Sequence, residues 1–225
     1  MLLRAFGEML PAAMGVALSP FPVIAVILVL GTADAVRTGV AFALGWLVGI
    51  GGLTAVILLA VSSADQAGST ESTLLAWVRV LAGAAMIVLA GKKWATRPRE
   101  GDTPVMPPWM ASIEGISPVR AVRLGLLLGG ANPKNIALTL SAAASITELG
   151  LHGSTKVVAG VIFVVLASST VVGAVVLRVI AGERAAMFLT SVQHFMVDNN
   201  NVIMMVVLLV LGANVLGKGL EALSW

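Results

Sequence analysis

Two apolar stretches of this chain are broken by proline, and the second of them also carries a lysine. Pro20 and Pro22 interrupt Ala17-Leu-Ser-Pro-Phe-Pro-Val-Ile-Ala. Roughly a hundred residues later, Pro133 and Lys134 interrupt Arg123-Leu-Gly-Leu-Leu-Leu-Gly-Gly-Ala-Asn-Pro-Lys-Asn-Ile-Ala-Leu-Thr-Leu. Proline removes a backbone donor, and its ring displaces the carbonyl about four residues before it, so each break exposes peptide groups. Inside a bilayer such groups have no water to turn to, and a central lysine costs roughly 2.5–3.5 kcal/mol on insertion scales. Residues of this kind line a protein-enclosed pathway rather than face lipid, so a transporter is the first reading.

The bulk of the chain agrees. Hydrophobic residues make up 58% and charged residues 11%, with a mean hydropathy of +1.00, against about 25% charged in soluble domains. The expected class is an all-α integral membrane protein. Its 225 residues supply about six spans of roughly 20 residues and leave nothing for a soluble catalytic domain, so residues 1–225 are expected to form a single membrane domain. The absence of cysteine excludes disulfides, thiol catalysis and Cys-ligated metal. His152 and His194 lie far apart, and no metal or cofactor is expected. The net charge of +3 and pI near 9.8 are read as membrane topology rather than as a surface for nucleic acid. The N-terminus lacks an Ala-x-Ala site, so no cleaved signal peptide is expected.

The apolar segments run over residues 10–30, 39–61, 74–94, 122–146, 157–180 and 197–216, each long enough to cross the hydrocarbon as a helix. Between them lie Asp34 and Arg37, a stretch with Asp65 and Glu71, a long Pro-rich linker, residues 148–156, and a loop from Arg178 to Arg184. The stretch 193–201 holds His194, Asp198 and three consecutive asparagines, which favour a membrane-surface turn. Lys92, Lys93, Arg97, Arg99, Arg120 and Arg123 surround the central linker, whereas the loop before span three has no Lys or Arg. The linker is therefore expected in the cytoplasm of a multi-pass inner-membrane protein, with Arg37, Arg178 and Arg184 also inside and both termini outside. Arg4 and Lys218 run against this placement.

The halves resemble each other. Each opens on a proline break, continues into a glycine-containing span, and closes on a Gly-Lys pair, Leu89-Ala-Gly-Lys-Lys in one and Val215-Leu-Gly-Lys-Gly in the other. Three spans per repeat is an odd number, so the repeats must insert oppositely. The expected architecture is six transmembrane helices in two inverted three-helix repeats, residues 8–95 and 120–220, joined by a cytoplasmic linker over 96–119. Helices one and four are the broken ones, with Pro20 and Pro133 meeting near the midplane.

A helix starting at Pro133 carries about half a positive charge at its N-terminus, and Lys134 adds a full one, so the preferred guest is anionic. Asn132, Asn135 and Thr139 form one polar stripe on that helix, and Ser19 marks the equivalent break in the first repeat. With Pro20, Pro22 and Pro133 these are the candidate substrate-binding residues. The plainer alternative makes the prolines packing kinks and lets Lys134 snorkel or pair with a carboxylate; it explains each residue alone but not their repetition. Arg79 is a candidate second cation, or a snorkelling arginine. Asp198 and Asn199, with Asn200 and Asn201, are a candidate gate or headgroup contact, or an interfacial cap. Gly45, Gly49 and Gly52 fit close helix packing, within the chain or in a homodimer. Trp94, Trp109 and Trp225 suit the interface. No span carries a His, a carboxylate pair or a Ser/Lys arrangement for base and nucleophile, so an enzyme is not expected.

The tract Met106-Pro-Pro-Trp-Met-Ala-Ser-Ile-Glu-Gly-Ile-Ser-Pro-Val-Arg-Ala, continuing through Gly129-Gly-Ala-Asn-Pro-Lys-Asn-Ile-Ala-Leu-Thr-Leu, together with Ala17-Leu-Ser-Pro-Phe-Pro, resembles the signature of the peptidoglycolipid addressing protein (GAP) family. That family includes sulfolipid-addressing proteins and is grouped with the lysine exporter (LysE) superfamily. The resemblance implies a six-span inner-membrane protein that helps move cell-envelope glycolipids toward the surface; it supplies no catalytic residues. Its expected partners are a lipid or glycolipid substrate and the bilayer, with envelope-lipid export proteins as further candidates. Two alternatives stay open: a non-transporting accessory subunit of an export machine, and an exporter of a small solute such as an amino acid. The last would want a carboxylate at the centre of a span, and none is placed there.

Overall fold

The computed structural model describes residues 2–66, 73–97, 113 and 115–223. Glu71, most of the linker, Trp109, Trp225 and the side chain of Asp65 lie outside the described residues. Among the described residues there are eight helices and no strand: α1 (Leu2–Ala17), α2 (Pro20–Leu30), α3 (Ala35–Gln66), α4 (Thr73–Ala95), α5 (Pro118–Gly130), α6 (Pro133–Glu148), α7 (Gly153–Asp198) and α8 (Asn200–Leu223). By length and composition α3, α7 and α8 can each cross a membrane, and α1 with α2, bent by 51° at their break, makes a fourth.

Proline starts three of these helices, where its missing N–H is no loss because the first turn has no intrahelical acceptor for it. Pro20 and Pro133 thereby end one helix and begin the next, as the sequence suggests. The first helix begins eight residues before the expected residue 10, because Ala5, Met9, Ala12, Ala13 and Val16 form a continuous buried stripe on α1. The expected loop over 178–184 is reduced to one residue. The chain turns at Gly182 (φ 56°, ψ −131°), a region open essentially to glycine, and the helix resumes at once. An ion pair of 2.7 Å between Arg178 and Glu183 spans the turn. The expected surface turn over 193–201 is likewise helical up to Asp198, because Ala185, Leu189 and Gln193 repeat every four residues and are buried.

Two helix pairs approach at backbone distance. Between α3 and α5, Gly45 meets the Val122 backbone and Gly49 that of Leu126, Gly129 and Gly130, while Gly125 and Gly129 meet that of Phe42 and Trp46; a Cβ added at Gly49 would lie 2.6 Å from the Leu126 carbonyl oxygen. On α4 and α8, a Cβ at Gly219 would lie 2.8 Å from the Val80 nitrogen. Small residues admit this approach, which gains dispersion contacts where lipid offers no hydrophobic drive. Gly45 and Gly49 are thus occupied within the chain. Gly52 is not: nothing lies within 4 Å of its added Cβ, because it points away from α5, so its expected packing within the chain is corrected. The core between these pairs is filled by Trp46, Phe42, Phe163 and Met9, and α1 and α2 lie against α7 while α1 also lies against α6.

Candidate functional site

The breaks sit where α1 meets α6 and α7. A helix end leaves four carbonyls without intrahelical partners, and at bilayer depth each needs one. At the end of α1, the Leu18 and Ser19 amides donate to the Met14 and Val16 carbonyls at 2.8 and 3.2 Å. The other two are answered from the far half of the chain. Lys134 Nζ donates to the Gly15 carbonyl at 2.5 Å, across 119 residues, and Thr170 Oγ1 donates to the Ala17 carbonyl at 2.6 Å. The expectation that the first break leaves peptide groups unpaired is corrected for these four carbonyls.

Lys134 occupies the second position of α6, after the cap Asn132 and Pro133, and the Asn132 side chain accepts from its amide at 3.0 Å. A lysine there stands at the positive end of its own helix dipole, an unfavourable place. Reaching the negative end of α1 offsets this. Among the described side chains no carboxylate pairs with Lys134; a half-buried cation rests on a carbonyl dipole.

The second break is served locally. Asn135, fully buried, donates from Nδ2 to the Leu128 and Gly129 carbonyls of α5 at 2.9 and 3.1 Å, and the Ala131 amide donates to Leu127 at 2.9 Å. Among the described residues this leaves Asn135 Oδ1 without a partner, and one turn further the buried Thr139 Oγ1 has none either. Such atoms are uncommon in native interiors and each costs about 1–3 kcal/mol. The site therefore combines a cation and two unsatisfied oxygens along one helix, a set suited to an anionic group carrying hydroxyls.

Asn132, Pro133, Lys134, Asn135 and Thr139 stand together on α6, and the buried Ser19, Pro20 and Pro22 stand at the first break. Ser19 makes no side-chain cap bond. Arg79 is elsewhere: it lies on α4 beside Gly219 of α8, and α4 packs chiefly on α8. Asp198 and Asn199 are also apart, at the α7–α8 corner, where Asn199 Nδ2 donates to the Phe195 carbonyl and Asn201 Nδ2 reaches the Thr96 carbonyl at the end of α4. Sequence reasoning missed Thr170, whose signal was the run Ser168-Ser169-Thr170 inside an apolar span, and it missed the buried bond of 3.1 Å from Trp46 Nε1 to Ser168 Oγ that ties α3 to α7. It also passed over Lys218, which donates to buried Ser145 at 2.7 Å and lies 3.9 Å from Glu8, joining α8, α6 and α1.

A family model described as Sap, sulfolipid-1-addressing protein, matches residues 9–221, taking in both breaks and all but the outer ends of α1 and α8. No curated protein and no solved structure matches the chain.

Proposed function

The chain belongs to the sulfolipid-1-addressing protein family, and on that premise we propose that it is a carrier or flippase-like protein that moves an anionic lipid or glycolipid of the cell envelope across the inner membrane. The observation that carries this reading is the Lys134 cation at the junction of two broken helices, without a carboxylate partner among the described side chains. A phosphate or sulfate head displaces the Gly15 carbonyl and takes the charge, its hydroxyls meet Asn135 Oδ1 and Thr139 Oγ1, and the acyl chains stay among the apolar helix faces.

Six spans in two inverted three-helix repeats would place the site at the midplane, as in transporters built on broken helices. The pairing of α1 with α7 and of α5 with α3, with α4 and α8 paired together, supports that architecture, and the basic residues around the linker support a cytoplasmic linker with both termini outside. Membership of the lysine exporter superfamily belongs to the same proposal, as does a non-enzymatic role. A second reading, an accessory subunit of a lipid-export machine, is favoured by the pairing of all four terminal α1 carbonyls, since a closed junction also suits a scaffold.

Reconstitution separates the two. In liposomes of phosphatidylcholine with a labelled anionic lipid, the protein alone is expected to speed transbilayer movement of the anionic lipid over a zwitterionic one. Lys134→Ala is expected to reduce it by about tenfold or more, the loss of one charge-assisted bond. A Lys134→Ala or Lys134→Glu protein that inserts normally and moves lipid at the wild-type rate contradicts the proposal; no movement from any variant, wild type included, favours the accessory role.

A further inference from the structure

We propose that Glu8, Ser145 and Lys218 form a gate that closes the seam where α1 meets α6 and α8, on the side of the protein where α1 starts and α8 ends. The gate rests on the carrier reading of Lys134, since it controls the way to that junction. Its three residues make one level. Lys218 Nζ donates to the buried Ser145 hydroxyl at 2.7 Å and lies 3.9 Å from the Glu8 carboxylate. A second level stands below it: a Cβ built at Gly15, whose carbonyl Lys134 holds, would lie 3.1 Å from Leu138 and 3.0 Å from Leu211. Glu8 is seven positions before Gly15, Ser145 seven after Leu138 and Lys218 seven after Leu211. Seven residues are two helical turns, about 10.5 Å, and return to the same face. Glu8, Ser145 and Lys218 therefore cover the Lys134 junction from one side, across a seam in which α1 runs opposite to α6 and α8.

The seam is of the kind that opens. Where α3 meets α5 and α4 meets α8, an added Cβ would strike backbone atoms, and such contacts part only when whole helices do. At Gly15 the neighbours are the side-chain ends of Leu138 and Leu211, which can give way by changing rotamer. The level above is held by charge. Its ion pair is loose and partly open to the surroundings, at 3.9 Å and with side-chain exposures of 24% for Lys218 and 38% for Glu8, so it breaks and re-forms at small cost. Ser145 gives Lys218 a second partner on α6. The ammonium therefore stays bonded when Glu8 departs, and no cation is stranded, the outcome that makes a buried ion pair hard to break. Arg4 and Glu221, one turn further out on α1 and α8, carry exposed charge beyond this level.

The chain has no cysteine, so one introduced thiol reports on one place. Ala142 lies between the two levels, four residues after Leu138 and three before Ser145, and is buried; Ala142→Cys puts the thiol in the seam. The control is Ala159→Cys, buried on α7 next to Gly160, which faces Leu58 and Thr54 of α3. The full chain in phosphatidylcholine nanodiscs, open to both faces, is treated with a water-soluble maleimide, and the rate of modification is read by intact-protein mass spectrometry. Both thiols are expected to react slowly while the gate charges are in place. Glu8→Gln or Lys218→Met is expected to speed labelling of Ala142→Cys about fivefold, the population shift of a partly exposed ion pair, and to leave Ala159→Cys unchanged. The exchanged pair, Glu8→Lys with Lys218→Glu, is expected to restore slow labelling. Unchanged labelling in both single variants, no recovery in the exchanged pair, or an equal rise at Ala159→Cys overturns the gate. The readout needs no lipid movement: a failed gate with transport lost in Lys134→Ala counts against the gate alone, whereas normal transport in Lys134→Ala counts against the carrier.

Discussion

The two helix breaks have the same cause and opposite solutions. At the first, the carbonyls of Gly15 and Ala17 are bonded by Lys134 and Thr170, side chains that arrive from the other half of the chain. At the second, Asn135 bonds the carbonyls of Leu128 and Gly129 from its own half. The first break is thus a joint between halves, which in the proposed carrier opens when a competing group takes the lysine. The second is self-contained, and its spare oxygens on Asn135 and Thr139 remain for a guest. In the proposed carrier one break is the latch and the other part of the receptor.

The largest effect is expected from the latch. Lys134→Met leaves the Gly15 carbonyl without its charged donor and is expected to lower stability by about 1.5–3 kcal/mol, in addition to the loss of transport given above; thermal unfolding in detergent checks it. Next comes Asn135→Leu, which removes one side chain serving two carbonyls, for about 2 kcal/mol. Asn135→Asp keeps an acceptor but loses both donors, so it is expected to fall at least as far. Thr170→Val removes one neutral bond at the first break, and about 0.6–1 kcal/mol is expected, in line with polar contacts between membrane helices. The smallest change separates receptor from scaffold. Thr139→Val deletes a buried hydroxyl that bonds nothing among the described residues, so stability is expected to hold or rise slightly, while transport of a hydroxyl-bearing anionic lipid falls. Unchanged transport with raised stability would make Thr139 a packing residue.

The parts of the molecule legible in the sequence are those set by local chemistry. Pro20 and Pro133 mark the breaks because the ring removes a backbone donor and crowds the carbonyl about four residues before it, although α1 continues through Pro11. The Asn132 cap follows from residue type and position, and Gly45 and Gly49 from their spacing. Their neighbour Gly52 has the same residue type and nearly the same spacing, yet it faces open space, because helix rotation depends on where α5 lies. Gly182 was within the expected charged loop, but a single glycine turn suffices there, and the buried stripe of Ala185, Leu189 and Gln193 carries the helix onward. The partner of Lys134 was not legible at all: it is a backbone carbonyl 119 positions away, and every residue type carries one. Thr170 had the same invisibility, being one hydroxyl among three consecutive ones in an apolar run.

The central claim is that the lysine at the second break holds the first one shut until an anionic headgroup replaces that contact. The direct measurement is an experimental structure of the full chain with an anionic lipid in a nanodisc. The account predicts headgroup density within hydrogen-bond reach of Lys134 Nζ, with the Gly15 carbonyl released and Asn135 Oδ1 contacted. Lipid density confined to the outer surface, with Lys134 still bonded to Gly15 at saturating lipid, would contradict it.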